Sequence, residues 1–218
     1  MIGAAWFVIA ATATAVTPAN VGPAMSELWS MLDQRLDKPA DSERIDAEIQ
    51  KKFGHPLAVM VTDMSGFTDR TKVRGILAFL STIRELQRLA HPVLDKNGVT
   101  LVKTDADDLF VVSATPGPLY KAAQELIAAV KKHDAEGEDD IGLGIGLDLG
   151  NVLTMGSEDI FGSPVNVASK LGEDTAKAGE ILVSVDFYKA LEAAQVKPLC
   201  KRVEAQVRGT KFPFYECH

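Results

Sequence analysis

Cysteine is scarce. Cys200 and Cys217 are the only two in 218 residues, and they make neither a metal-ligand nor a redox spacing, which predicts free thiols in a reducing compartment. The four histidines are scattered: His55 adjoins a proline, His91 precedes Pro92, His133 closes a helical pattern and His218 is terminal. None is assigned to a metal. Basic charge is in deficit, with 23 Lys and Arg against 30 Asp and Glu and a net charge of -7. That excludes DNA as the main partner, because binding a phosphate backbone needs a basic face. No charged residue precedes Glu27, yet the Ala-rich apolar run from Met1 to Val16 falls short of the roughly 20 residues of a membrane span. It also lacks the Lys or Arg of a secretory signal. Three readings stay open for it: a membrane-associating arm, a segment packed on the domain, or an over-extended start. The dinucleotide fingerprint is missing too. Ile141-Gly-Leu-Gly-Ile-Gly-Leu-Asp-Leu-Gly150 spaces its glycines by two, which suits a strand with one glycine face open to close approach.

At 46% hydrophobic, the chain can build one core of ~150 residues plus extensions. The expected organisation is an apolar segment at 1–22, a helical extension at 23–54 and one domain at 55–218. Met25, Leu28, Trp29, Leu32 and Leu36 recur at helical spacing and predict a helix from Pro23 to Asp37 whose stripe faces the core or a second copy. A second helix is expected from Asp41 or Ser42 to Phe53, with Gly54 at C′.

The domain opens on Leu57-Ala-Val-Met-Val-Thr-Asp-Met-Ser-Gly-Phe-Thr68, an apolar strand that ends in a carboxylate before a turn. Asp63 there either caps the next helix or holds a metal ion and its bound phosphates. A long helix follows, with Ile76, Leu77, Leu80, Ile83, Leu86, Ala90 and Val93 inward, ending between Pro92 and Gly98. Val99–Lys103 and Leu109–Ser113 read as a hairpin around the acidic turn Thr104-Asp-Ala-Asp-Asp108. Pro116–His133 is a helix, Asp134–Asp140 a solvated acidic loop, and Ile141–Gly150 a strand to which Asn151–Met155 returns as a pair. Helix over Gly162–Lys177, strand over Ile181–Ser184, helix over Asp186–Ala194 and two short strands, Cys200–Val203 and Phe212–Glu216, complete the chain. The order predicts an α+β, ferredoxin-like β-α-β-β-α-β sandwich with extra C-terminal strands. Its topology sets Asp63 beside Asp105, Asp107 or Asp108, and carboxylates so placed repel unless a cation such as Mg²⁺ lies between them.

Three runs, Asp63-Met-Ser-Gly-Phe-Thr68, Lys103-Thr-Asp-Ala-Asp107 and Asp159-Ile-Phe-Gly-Ser-Pro-Val-Asn-Val-Ala-Ser-Lys170-Leu, together resemble the class III adenylate/guanylate cyclase catalytic domain, in order and spacing, over about residues 55 to 216. The resemblance implies two Mg²⁺ or Mn²⁺ ions held by Asp63 and Asp107 with help from the Met64 carbonyl, and phosphates cradled by the amides of Gly66, Phe67 and Thr68. It implies a nucleobase read by Lys103 and Asp159, a ribose oriented by Asn166, and a homodimer with shared active sites, nucleoside triphosphate being the substrate. Lys170 stands where the family has an arginine on the α-phosphate, a point charge in place of a planar fork. Ala106 stands where the family usually has glycine, and Asp105 and Asp108 are assigned to the turn alone. Arg208-Gly-Thr-Lys211 offers Lys211 for the triphosphate without clear register.

The Lys and Asp pair, one donor and one acceptor, matches ATP or CTP better than GTP or UTP, and the adenylate pattern puts ATP first. The stretch Val165–Thr175 also resembles a bacterial subgroup that includes antiphage pyrimidine cyclases. Lys170 and Ala106 suit a catalytically weak nucleotide-binding or dimerisation module as well. The Gly-Gly-Asp/Glu-Glu-Phe hairpin of diguanylate-forming relatives is absent. A nucleotide substrate implies a cytoplasmic location.

Overall fold

A computed structural model describes residues 24–65, 75–137, 141–207 and 210–218; Gly66, Phe67 and Thr68 lie outside them. Inside the sheet lies β1 (Gly54–Met64), whose Val59, Met60 and Val61 are wholly buried because both faces are covered. It pairs antiparallel with β3 (Asp108–Ser113) on one side and with β4 (Leu143–Thr154) on the other. Outside β3 lies β2 (Thr100–Asp105). Beyond β4 come β6 (Ile181–Ser184), running parallel to it, then β8 (Thr210–Cys217) and β7 (Cys200–Val207). The short β5 (Ile160–Phe161) pairs with the end of β4. The α+β sandwich anticipated from the sequence is the fold observed.

On one face, α3 (Ile76–Asn97) and α4 (Pro116–Glu136) pack with α6 (Val185–Ala193) over Met60, Met64, Ile145 and Leu147. From α3, Phe79, Leu86, Ala90 and Leu94 face inward, and each buried large side chain contributes about 1.5–3 kcal/mol over exposure. Ile76, Leu77 and Leu80, expected inward, are instead 58%, 77% and 51% exposed. Helix α3 passes through Pro92 and stops at Gly98, whose φ of +63° lets the Val99 amide reach the Leu94 carbonyl.

On the other face, α5 (Ser163–Gly172) lies against β1 and β4 over Val59, Val61, Val152 and Ile160. The glycine face of β4 makes this approach possible. A Cβ on Gly146 would collide with the Ala168 carbonyl and lie 2.8 Å from the Leu171 Cβ, and one on Gly172 would lie 2.6 Å from the Val61 oxygen.

Helices α1 (Ala24–Asp37) and α2 (Ser42–Phe53) pair with each other and enclose Met155 with Leu28, Ile45, Ile49 and Phe53. Only part of the α1 stripe is used, since Trp29 and Leu36 are 52% and 72% exposed.

Several expectations are corrected. Cys200 and Cys217 form a disulfide, because β7 and β8 place them directly opposite with Cα atoms 4.1 Å apart. Gly54 is extended rather than left-handed. It is small because α2 runs straight into β1, and a Cβ there would meet Gln50. Asn151–Thr154 continue β4 instead of returning beside it, because β1 is long enough to pair with the whole strand down to Leu153. The helix expected to run to Lys177 ends at Gly172. The closing strands reach eight residues each. Asp134 belongs to α4, and its carboxylate accepts from the amides of Ile141 and Gly142 at 2.8 and 3.1 Å, so it docks the next segment instead of floating in solvent.

Candidate active site

Strand pairing builds the acidic centre. The Thr62 hydroxyl, fully buried, accepts from the Leu109 amide at 3.2 Å and ties the start of β3 to β1. Asp63 is the next residue along β1, and the two-residue turn Ala106-Asp107 brings the hairpin tip alongside it. Carboxylate oxygens of Asp63, Asp107 and Asp108 consequently lie within 4.8 Å of one another.

Such a cluster cannot be fully ionised cheaply. Burial first, then Asp107 and Glu173, pushes the Asp63 carboxyl up to about 6, against a smaller opposing effect of the Met64 amide. Asp107, only 8% exposed, is raised by burial, while its own amide and that of Met64 oppose the shift. Asp108 is pushed up to about 8 by burial and by Glu173, Asp107, Asp63 and Asp105, and its Oδ1 is buried with no hydrogen-bond partner. Three oxygens converging at this separation, one otherwise unsatisfied, match the hard-oxygen donor set of Mg²⁺ or Mn²⁺. Among sequence-derived candidates, Asp63 and Asp107 are therefore brought together, and Met64 lies beside them.

Asp108, assigned to the turn alone, belongs to the cluster, and Glu173 joins its electrostatics from just past α5. The run Asp-Ala-Asp-Asp carried a signal for Asp108, since a two-residue turn can keep adjacent carboxylates at one tip. Glu173 had none, because only the glycine-mediated seating of α5 brings it near.

Lys103 and Asp159 are paired in a second place. The Lys103 ammonium is 2.8 Å from Asp159 Oδ1 and 4.7 Å from the centre of the Phe110 ring. Asp159 Oδ1 also accepts from the Ile160 amide at 2.8 Å. A fixed donor stands beside a fixed acceptor, both about a quarter exposed. Asn166 and Lys170 are one turn apart on α5, Asn166 exposed and Lys170 partly buried with its ammonium 5.7 Å from the Phe212 ring centre. Lys211 lies on β8, where its backbone pairs with Gln206.

With these positions established, similarity to known proteins is informative. The family described as the adenylate and guanylate cyclase catalytic domain matches residues 49–216, and the chain belongs to it. The catalytic core of a rhodopsin-guanylyl cyclase with converted specificity, in complex with ATPαS, is similar at 25% identity and a TM-score of 0.66, covering 77% of this chain and 97% of that one. The adenylyl cyclase CyaB from P. aeruginosa shares the fold at 22% identity and a TM-score of 0.61, covering 76% and 94%. The uncharacterized protein Rv2212 of Mycobacterium tuberculosis is 30% identical over 129 residues, 59% of this chain and 32% of that protein. The chain thus spans about a third of the length of such curated relatives. Among the described residues, no helix is long and apolar enough to cross a membrane.

Proposed function

We propose that this nucleotide cyclase domain converts ATP to a 3′,5′-cyclic nucleotide and pyrophosphate, in a homodimer with shared active sites. The observation that carries the reading is the convergence of Asp63 and Asp107 at the end of the central strand. Two Mg²⁺ or Mn²⁺ ions bound there would supply acidification of the ribose 3′-OH and neutralise the leaving pyrophosphate.

The chain's own groups do the rest. Asp63 and Asp107, with Met64, would hold the cations, and Asp108 adds a third carboxylate at the same place. Asn166 orients the ribose, and Lys170 places positive charge against the α-phosphate. Gly66, Phe67, Thr68 and Lys211 serve the remaining phosphates. Lys103 donates to a ring nitrogen while Asp159 accepts from an exocyclic amine, a pattern that adenine presents through N1 and N6. Guanine would set donor against donor and acceptor against acceptor. Cytosine presents the same edge as adenine, so CTP is the second substrate on the same 2.8 Å pair. Residues 55–218 form the catalytic unit, and its nucleotide substrate sets it in the cytoplasm.

The deciding experiment incubates the purified protein with ATP, CTP, GTP and UTP at equal concentration, with Mg²⁺ or Mn²⁺, and identifies the products. Cyclic AMP is expected to dominate. Dominant cyclic GMP or cyclic UMP would show that Lys103 and Asp159 do not read the base, and no product from any of the four would leave a binding or dimerisation module.

A further inference from the structure

The turn that carries Asp159 is held by the two N-terminal helices. Met155 begins it with 0% exposure, enclosed by Leu28 of α1 and by Ile45, Ile49 and Phe53 of α2. Within the turn, the Met155 amide donates to the Asp159 carbonyl at 3.1 Å and the Glu158 amide to the Met155 carbonyl at 3.2 Å, so these residues move as one body. Glu158 Oε2 accepts from the Met25 amide at 3.1 Å, in the first turn of α1. That amide has no partner inside its own helix, and a carboxylate is favoured at this end of the helix dipole. Just before the turn, on β4, the Asn151 side-chain amide donates to Gln50 Oε1 of α2 at 2.6 Å.

We propose that α1 and α2 set the nucleobase discrimination of the enzyme, with Met155 and Glu158 acting as positioning residues for Asp159. This rests on the reading of Asp159 as the base acceptor. A hydrogen bond that discriminates between bases tolerates only a few tenths of an ångström, and a displacement near 1 Å forfeits most of the benefit of orientation. The apolar socket fixes the height of the turn over β5, and the Met25–Glu158 contact fixes its tilt. Asp159 then meets Lys103 at 2.8 Å rather than swinging with the turn. The acidic cluster stands at the far end of β1 from α2 and on the tip of the β2–β3 hairpin, so chemistry and base choice are separable.

The test uses the full chain with Glu158→Ala, Met155→Ala and Asp159→Ala, each checked for folding by circular dichroism. For Glu158→Ala, which removes the acceptor for the Met25 amide, and Met155→Ala the KM for ATP is expected to rise about 3–10-fold, the ATP/GTP ratio of kcat/KM to fall at least ~5-fold, and kcat to change less than ~2-fold. Inhibition by inorganic pyrophosphate, which has no base, is expected to stay unchanged. Met155→Leu, close in volume, should restore the ratio, as should Glu158→Gln, which keeps an acceptor oxygen, and Glu158→Ala should add nothing in the Asp159→Ala background. If Met155→Ala does not fold, Glu158→Ala alone decides. A folded Glu158→Ala that keeps the wild-type ratio, while Asp159→Ala loses it, overturns the proposal. So does a parallel loss of pyrophosphate inhibition, which would mean general loosening. An Asp159→Ala ratio equal to wild type removes the base-reading assignment itself and the proposal with it.

Discussion

At the scale of single residues, the three clustered carboxylates are the groups on which the proposed activity and the pH response turn. Replacing Asp63 or Asp107 by Asn keeps the shape and removes a charge from the metal pair, so turnover should fall at least ~10²-fold with an unchanged circular dichroism spectrum. Steady-state assays of the two variants check this, and near-normal turnover by either would sink the metal assignment. The metal-free protein makes a separate prediction. Asp63 and Asp108 titrate near 6 and 8 when folded, against about 3.9 when unfolded. Between those values the native state holds protons that the unfolded chain has released. Stability in chelator must therefore fall as pH rises from about 4 through 8. Asp108→Asn removes the larger part of that slope. Since Asp108 is partly exposed and screened by solvent, a gain in Tm of about 2–4 °C at pH 8, and little change at pH 4, is the expected result in thermal melts.

At the scale of elements, the β2–β3 turn and the α5 seat carry the main tensions. Ala106 sits at φ +50°, a left-handed conformation that costs a residue with a Cβ about 1 kcal/mol or more, although the turn between these two strands needs it. Ala106→Gly should relieve that strain, partly offset by the entropy of glycine in the unfolded chain, and raise Tm by about 1–3 °C without loss of turnover. An unchanged or lower Tm would mean that the turn relaxes around alanine. Gly146 is the opposite case. A methyl there meets the α5 backbone, not a flexible side chain, so Gly146→Ala should cost about 3 kcal/mol or more in chemical denaturation, at the severe end of core overpacking.

These elements also show how far the sequence could be read. The alternation of glycine and aliphatic residues in β4 announced a close helix contact, and the strand ending in Asp63 and the acidic hairpin turn announced their meeting, because period and turn chemistry are local. The disulfide was not legible: 17 residues separate its cysteines, and only the register of β7 against β8 makes them neighbours. Nor was the socket around Met155, a single residue outside any periodic stripe. Glu173 escaped for the same reason, as its position follows from the packing of α5 and not from its neighbours in the chain.

At the scale of the molecule, the groups assigned to one reaction come from separate elements of one chain. The carboxylates gather where β1 ends and the hairpin turns, with the C-terminal end of α5 close by, since Glu173 acts on Asp63 and Asp108. Asn166 is about two turns, roughly 10 Å, back along α5 from Glu173, and its side chain is exposed. A second copy related by a two-fold axis would bring its Asn166 and Lys170 to the first copy's aspartates, and the reverse, giving two equivalent sites. Mixed oligomers test this arrangement. On the proposed assignment Asp63→Asn chains lack a metal ligand and Asn166→Ala chains lack the ribose contact, so each alone should be nearly inactive. In a mixed dimer one site combines both lesions, whereas the other joins a wild-type Asp63 to a wild-type Asn166. Equal mixing after subunit exchange makes half of the dimers mixed, each with one good site, so about a quarter of wild-type turnover per chain should return. With exchange verified by differently tagged chains, a mixture no more active than its components would mean that each chain completes its own site.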